Sequence, residues 1–380
     1  MRLLHTSDWH LGRALAGERL IEDQAHALDQ LIEAARDFRP DAVLISGDIY
    51  DRALPPPEAV ALLDHVLSEL ILDLGLHVVL IPGNHDSRER LGFASRLLER
   101  NRLHIAGRRE AFKWIELASG SGPCRILALP YLEPAEAREI LGREDLADHE
   151  AALRAAIAQA LSEARGGRIV VAAHAFLAGG QPSDSERALS VGGTGAVAAD
   201  CFAGFCYAAL GHLHRAQSVG EDRLQYSGAL LKYSFAEADQ QKSVNLVEIA
   251  PDGALRLQRY PLRTRRELRC LEGRFDDLMR AAAPGVGRED LVSITLRDDR
   301  PVLDAAARLR ERYPNLLQLS QPGLFAPASH ALRPVEGPAT GHMELFEDFF
   351  RQVSGRPLGA EERAELEAAL EQLRRQEQQA

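Results

Sequence analysis

The chain predicts an α/β fold, and three observations carry that prediction. Five short apolar runs each stop where a polar side chain appears. Met1–Ser7 leads to Asp8 and His10, Ala42–Gly47 to Asp48, His77–Gly83 to Asn84 and His85, Arg168–Ala173 to His174, and Tyr207–Gly211 to His212 and His214. Aliphatic and β-branched runs of this length read as buried strands. Helical stripes lie between the early runs. Glu22–Asp37 places Ala25, Leu28, Leu31, Ile32 and Ala35 on one face and stops before Pro40. Glu58–Asp73, opened by Pro55, Pro56 and Pro57, does the same with Val60, Leu63, Val66, Leu67 and Leu70. After His214 the signal turns to strands and turns, at Ala216–Val219, Leu224–Tyr226, Val244–Ile249 and Leu255–Tyr260. Strand and helix in alternation return the chain in the βαβ manner.

With 380 residues the chain exceeds one typical core. Residues 1–265 read as the first domain, with an Ala- and Glu-rich helical insertion over 135–165. Residues 266–320 read as a small separate α/β unit, with strands at Glu267–Leu271, Leu291–Leu296 and Leu316–Leu319 and helices at Phe275–Ala283 and Val302–Tyr313. Residues 321–341 have a linker's composition, with Pro322, Pro327, Pro334 and Pro338 among Gly323, Gly337 and Gly341. Two amphipathic helices follow, over 342–353 and 360–378. Segments this short bury little alone, so they dock on the body or meet a partner's groove.

A net charge of -11 argues against a protein that coats nucleic acid non-specifically by itself. Charge is nonetheless clustered. Arg256, Arg259, Arg263, Arg265, Arg266 and Arg269 form one group, and Arg88, Arg90, Arg96, Arg100, Arg102, Arg108 and Arg109 another. Each reads either as a phosphate track or as a solvated face. No run of 18 apolar residues suggests a membrane helix. Removal of a signal peptide would take Asp8 and His10 with it, so the expected location is cytoplasmic. Cys124, Cys201, Cys206 and Cys270 contain no CxxC pair and read as reduced core residues.

Active sites of α/β sheets lie just outside the carboxyl ends of strands. The five strand ends would therefore deliver Asp8, His10, Asp48, Asn84, His85, His174, His212 and His214 to one place. A lone histidine after a strand is usually a satisfied core residue; five such ends in order are hard to explain that way. Oxygen and imidazole ligands without cysteine suit Mn, Fe or Zn, with a carboxylate able to bridge two ions. Gly47, Gly83 and Gly211 permit the sharp exits this needs. In an extended segment His212 and His214 point to one side, within reach of one ion each. His5, His77 and His104 read as structural.

These residues resemble a known motif series. Asp8-Trp9-His10, Gly47-Asp48-Ile49-Tyr50-Asp51, Gly83-Asn84-His85-Asp86, His174 and Gly211-His212-Leu213-His214 look like those of the calcineurin-like metallophosphoesterases. Ser7–Gly12, Ser190–Gly195, Tyr226-Ser227-Gly228 and Lys232–Phe235 resemble the bacterial SbcD branch in particular. The resemblance implies a two-sheet sandwich flanked by helices, a small capping domain over 266–320, and a C-terminal helix pair that binds an SbcC-like ATPase. It implies two divalent ions, Mn foremost, with Asp8, His10 and His214 on one, Asn84, His174 and His212 on the other, and Asp48 between. By the same resemblance His85 is the catalytic group that is not a ligand, with Asp86 either orienting it or serving as a plain turn carboxylate. Tyr226, Lys232 and Tyr233 are expected DNA contacts. Asp51 stands where archaeal and eukaryotic relatives carry a histidine, so a second catalytic imidazole is unassigned.

The implied activity is that of a homodimeric DNA nuclease, with exonuclease action on duplex ends and endonuclease action on single strands and hairpins, in repair and recombination. Two rivals stand beside it. A stand-alone small-molecule phosphodiesterase or nucleotidase shares every ligand but has no need of residues 266–380. A structural partner with a vestigial site is opposed by the full set of ligand types.

Overall fold

The computed structural model describes residues 1–107, 110–117, 124–164, 167–186, 195–280 and 287–322, with scattered positions between 343 and 367. It divides into two compact units, Met1–Glu267 and Leu268–Ala380.

In the first unit, β1 (Arg2–Thr6) is followed by a small hairpin of β2 (Ala14–Leu15) and β3 (Glu18–Arg19), and then by α1 (Ile21–Phe38). β4 (Ala42–Ser46), α2 (Pro57–Ser68) and β5 (His77–Ile81) come next. The second predicted helix is thus two pieces, because Glu69–Asp73 widens into a π-turn. Short helices α3 (Arg88–Leu91) and α4 (Ser95–Leu98) precede β6 (Leu103–Ile105), β7 (Lys113–Leu117) and β8 (Cys124–Leu129). The insertion is a helix pair, α5 (Pro134–Leu141) and α6 (His149–Ser162), the latter capped by Asp148 accepting from the Ala151 N–H at 2.8 Å. β9 (Arg168–His174), β10 (Tyr207–Gly211), β11 (Gln217–Val219), β12 (Glu221–Tyr226), β13 (Ser243–Ile249) and β14 (Leu255–Pro261) complete the unit.

These strands form two six-stranded sheets, ordered β14-β13-β1-β4-β5-β6 and β11-β12-β10-β9-β8-β7. In the first, β1, β4, β5 and β6 are parallel; in the second, β12, β10, β9 and β8 are parallel. Antiparallel strands close the flanks. One core unites residues of both sheets, including Leu3, Leu44, Val79, Ile81, Ile126, Val170, Ala172, Ala209 and Val247. Another packs α5 and α6 on the second sheet through Ala137, Ala152, Ala156, Ile157, Val171 and Leu210. The result is the expected sandwich. His5 ties the sheets inside the core, with Nδ1 2.8 Å from the Tyr207 hydroxyl and Nε2 3.1 Å from the Leu210 carbonyl oxygen.

In the second unit β15 (Leu268–Gly273), β16 (Leu291–Leu296) and β17 (Leu316–Ser320) form a parallel three-stranded sheet. α7 (Phe275–Arg280) and α8 (Ala305–Arg312) complete it, around Phe275, Leu278, Ile294, Leu296, Leu309 and Tyr313. The proposed linker from 323 onward, most of the two tail helices and residues 190–194 lie outside the described residues. Met343, Phe346, Glu347, Phe350 and Arg351 are helical, with the Phe346 and Phe350 rings stacked 6.4 Å apart. Among the described residues no helix is long and apolar enough to cross a membrane.

Candidate metal centre

All five strand ends meet. β1, β4 and β5 of one sheet and β9 and β10 of the other release the chain at one edge of the sandwich, and eight predicted residues converge there. The convergence needs unusual backbone. Asp8, His10, Asp48 and His212 have φ of 53°, 45°, 50° and 112°, a region non-glycine residues seldom occupy. Such conformations persist where surrounding contacts impose them, and they concentrate at functional sites. Two glycines make room. A Cβ on Gly47, itself at φ +92°, would lie 2.3 Å from His174 Nδ1, and one on Gly211 would lie 1.8 Å from the Ser46 carbonyl oxygen.

Asp48 is central. Its Oδ2 lies 3.7 Å from His10 Nε2, 3.6 Å from His174 Nε2 and 4.0 Å from His85 Nε2, while Oδ1 accepts from the His85 N–H at 2.9 Å. On one side of it, His10 Nε2 and His214 Nε2 are 3.0 Å apart. Asp8 shares that side and accepts from the His212 N–H at 3.0 Å and from Ser7 Oγ at 2.5 Å. On the other side, Asn84 Oδ1 is 2.9 Å from His174 Nε2 and 3.3 Å from His212 Nδ1. His212 and His214 therefore face different partners. Ligand-type atoms of Asp8, His10 and His214, of Asp8, Asp48 and His174, and of His10, Asp51 and His85 each lie within 4.8 Å of one another.

The donor set fits divalent cations. His174 Nδ1 donates to the Ser46 carbonyl at 2.9 Å, since a carbonyl only accepts. Its Nε2 is then bare and faces Asn84 Oδ1 and Asp48 Oδ2, three acceptors with no hydrogen to share. Burial, and next the Asp48 charge, push the Asp8 carboxyl well above its usual range. Burial also holds the His10 and His212 imidazoles well below theirs, with His214 and His174 respectively as second cause. His10 Nδ1 is buried without a hydrogen-bond partner. Neutral imidazoles beside crowded carboxylates are what a metal stabilises, because ligands bind deprotonated.

His85 is set apart. Its Nδ1 donates to the Asp51 carbonyl at 2.7 Å, which leaves Nε2 turned toward the centre, and its side chain is partly exposed. The Asp51 backbone orients it. Asp86 instead accepts from the N–H groups of Ile49, Tyr50 and Gly83 at 3.0, 2.9 and 2.9 Å. Burial and the Asp48 charge push Asp86 up to about 7 against those bonds. It clamps the two loops that carry Asp48 and Asn84, the plain turn reading.

The expected DNA contacts do not hold. Tyr226, Lys232 and Tyr233 are buried. The Tyr226 hydroxyl donates to the Ala175 carbonyl at 2.6 Å, and Lys232 Nζ donates to Ala238 O at 2.6 Å and pairs with Glu267. Tyr233 bonds Trp9 O and accepts from Gln24 Nε2 at 2.9 Å. Neither tyrosine leaves a ring face open for a base to stack upon. Both arginine clusters are also partly structural. Arg266 is buried on Asp23 and Glu18, and Arg88 on Glu136 and the Glu110 carbonyl; Arg108 and Arg109 lie outside the described residues.

Sequence reasoning missed several supports. Gln24 on α1 holds the exit of β1, donating to His10 O at 2.8 Å and accepting from Gly12 N at 3.0 Å. Ser185, Glu186, Glu237 and Lys242 surround His214. Only a lysine five residues after a glutamate hints at the last two, and no spacing ties either to His214.

The calcineurin-like phosphoesterase family matches residues 1–215, and the domain described as the Type 5 capsule protein repressor C-terminal domain matches residues 264–354. The SbcD subunit of the nuclease SbcCD from Staphylococcus epidermidis is 31% identical over 360 residues, covering 94% of this chain and 95% of that protein. A dimetal phosphatase from Danio rerio is similar at 13% identity and a TM-score of 0.42, over 69% of this chain and 96% of that one. The match along nearly the whole chain, with phosphoesterase motifs gathered at one edge of the sandwich, places this protein in the SbcD family of nuclease subunits, within the calcineurin-like phosphoesterases.

Proposed function

We propose that this protein cleaves DNA phosphodiesters at a two-metal centre, with Mn as the working metal, as the nuclease subunit of a complex with an SbcC-like ATPase. Bound at this centre, two divalent ions would supply an acidified water and neutralise phosphate oxygens. Asp8, His10 and His214 would hold one ion, Asn84, His174 and His212 the other, and Asp48 would serve both. The observation that carries the reading is Asp48 Oδ2, at 3.7 Å from the His10 imidazole and 3.6 Å from that of His174. His85, pinned through Nδ1–H, presents Nε2 to the leaving oxygen and, as the doubly protonated imidazolium, gives up its Nε2 proton there. Asp51, 3.6 Å from His10 Nδ1, supports a ligand rather than supplying a second catalytic imidazole.

The substrates are duplex ends, cut as an exonuclease, and single strands and hairpins, cut as an endonuclease, in cytoplasmic repair and recombination. The working unit is a homodimer. Exposed Leu54, Val60, Phe93 and Leu97, on and beside α2 to α4, offer the apolar area for it. Purified protein with Mn should cut a DNA hairpin far faster than a small aryl phosphodiester and should sediment as two chains. Equal turnover of both substrates would favour the small-molecule phosphodiesterase reading.

Residues 266–320 are proposed as a capping domain that positions DNA, and the tail after the linker as the ATPase contact. Glu344, Glu347, Glu361, Glu362 and Glu365 make DNA a poor target for that tail and a protein groove a better one. Phe346 is 41% exposed beside Phe350. Truncation after Ala339 should leave metal binding and single-strand cleavage intact, and should abolish co-purification with the ATPase and ATP-dependent processing of duplex ends. Phe346→Glu with Phe350→Glu should do the same. A truncated chain that still captures the ATPase places the interface elsewhere.

A further inference from the structure

We propose that Ser185, Glu237 and Lys242 form a buried relay that sets the tautomer of His214 and thereby the affinity of the Asp8–His10–His214 position for metal. The proposal rests on the two-metal reading above for its second half only.

Two other histidines of the centre take their tautomer from the backbone. His174 and His85 each place Nδ1 on a carbonyl oxygen, which can only accept, so the proton's place is decided. His214 differs. Its Nδ1 lies 2.5 Å from Ser185 Oγ. A hydroxyl both donates and accepts, so by itself it leaves the imidazole free to hold its proton on either nitrogen. Glu237 removes that freedom. Its Oε1 takes the Ser185 hydroxyl proton, and its Oε2 lies 2.6 Å from Lys242 Nζ. Glu237 is fully buried and Lys242 nearly so, and a buried carboxylate beside an ammonium stays ionised and only accepts. The hydroxyl proton therefore points to Glu237, its lone pair points to His214, and Nδ1 must carry the hydrogen. Nε2 is left bare at the metal position, 3.0 Å from His10 Nε2.

The same residues hold the His214 backbone. Lys242 Nζ donates to its carbonyl at 2.8 Å, and Glu186 Oε1 accepts from its N–H at 2.7 Å. Arg13 Nη2 donates to the Ser185 carbonyl at 2.8 Å and so fixes the hydroxyl's own residue. Residues that orient a metal-binding histidine through its second nitrogen typically change affinity by about 10- to 100-fold when removed. Ser185, Glu237 and Lys242 are thus positioning residues for His214.

The test is nitrogen NMR of the histidine rings in the metal-free full-length chain, paired with Mn titration. The parent should show His214 protonated on Nδ1. Ser185→Ala leaves the Glu237–Lys242 pair intact. Removal of the whole relay should shift His214 toward the Nε2–H tautomer and weaken one of the two Mn positions by roughly 10- to 100-fold, leaving the other unchanged. Ser185→Thr, which keeps the hydroxyl, should keep both parental readings. In Ser185→Ala the Glu237 carboxylate, 3.8 Å from Nδ1, has room to take over the bond. The triple variant Ser185→Ala, Glu237→Gln, Lys242→Met therefore decides the matter, because it removes hydroxyl and ion pair together and strands no buried charge. A His214 that keeps its Nδ1 proton in the triple variant overturns the relay, as does parental Mn affinity at both positions. A parent chain that binds no Mn sinks the two-metal reading instead, while the ring spectra still judge the relay.

Discussion

Asp48→Asn should abolish cleavage and strip the centre of metal while the protein stays folded. Asp48 reaches both groups of ligands through a single oxygen, buried at the meeting point of the two sheets. Asparagine keeps the size and the acceptor for the His85 N–H but removes the charge that the two positions share. The fold has little to lose. The Asp48 charge raises the pKa of both Asp8 and Asp86, so neutralising it relieves repulsion in the metal-free chain. Calorimetric titration with Mn checks the binding, and thermal melting in chelator checks the fold, with a melting point at or above the parent's expected. Two Mn ions bound with parental affinity would show that Asp48 does not bridge.

His85→Ala should keep both metals and lose about two or more orders of magnitude in cleavage rate, as befits a lost general acid. The imidazole touches the centre only at the edge, 4.0 Å from Asp48 Oδ2, and its other nitrogen is held by the Asp51 carbonyl. Its backbone N–H, not its side chain, bonds Asp48, so alanine preserves that contact. Single-turnover cleavage of a hairpin at saturating Mn, beside a Mn titration, separates the two effects. Loss of one metal from His85→Ala would move His85 among the ligands. That outcome has a structural basis to answer, since His10, Asp51 and His85 lie close enough to hold an ion.

Local pattern carries much of the architecture. The strands that end in ligands and the helix of α1 are legible because strand and helix periodicities are short-range, and a polar residue closing an apolar run is visible in a handful of positions. β6, β7 and β8 are not, because nothing chemical marks their ends. The π-turn at Glu69–Asp73 is hidden because its apolar stripe still reads as continuous helix. Tyr226, Lys232 and Tyr233 look like surface contacts in the sequence because aromatic and basic residues suggest nucleic acid until burial is known.

By itself the amino-acid sequence determined which atoms are available: eight side chains of ligand type, oxygen or imidazole, each at the carboxyl end of an apolar run, and glycines where a side chain would collide. Tertiary structure decided how those atoms are used. His212 and His214 are two residues apart, yet one faces Asn84 and the other His10. Asp86 follows His85 directly, yet it clamps backbone while the Asp51 carbonyl orients the imidazole. Glu237 and Lys242 meet His214 across a loop that brings in Ser185. Ligand identity is a property of single residues and their neighbours in the chain. Proton placement and the sharing of one carboxylate depend on distances of about 3 Å between residues far apart in sequence, and those exist only once the two sheets have packed.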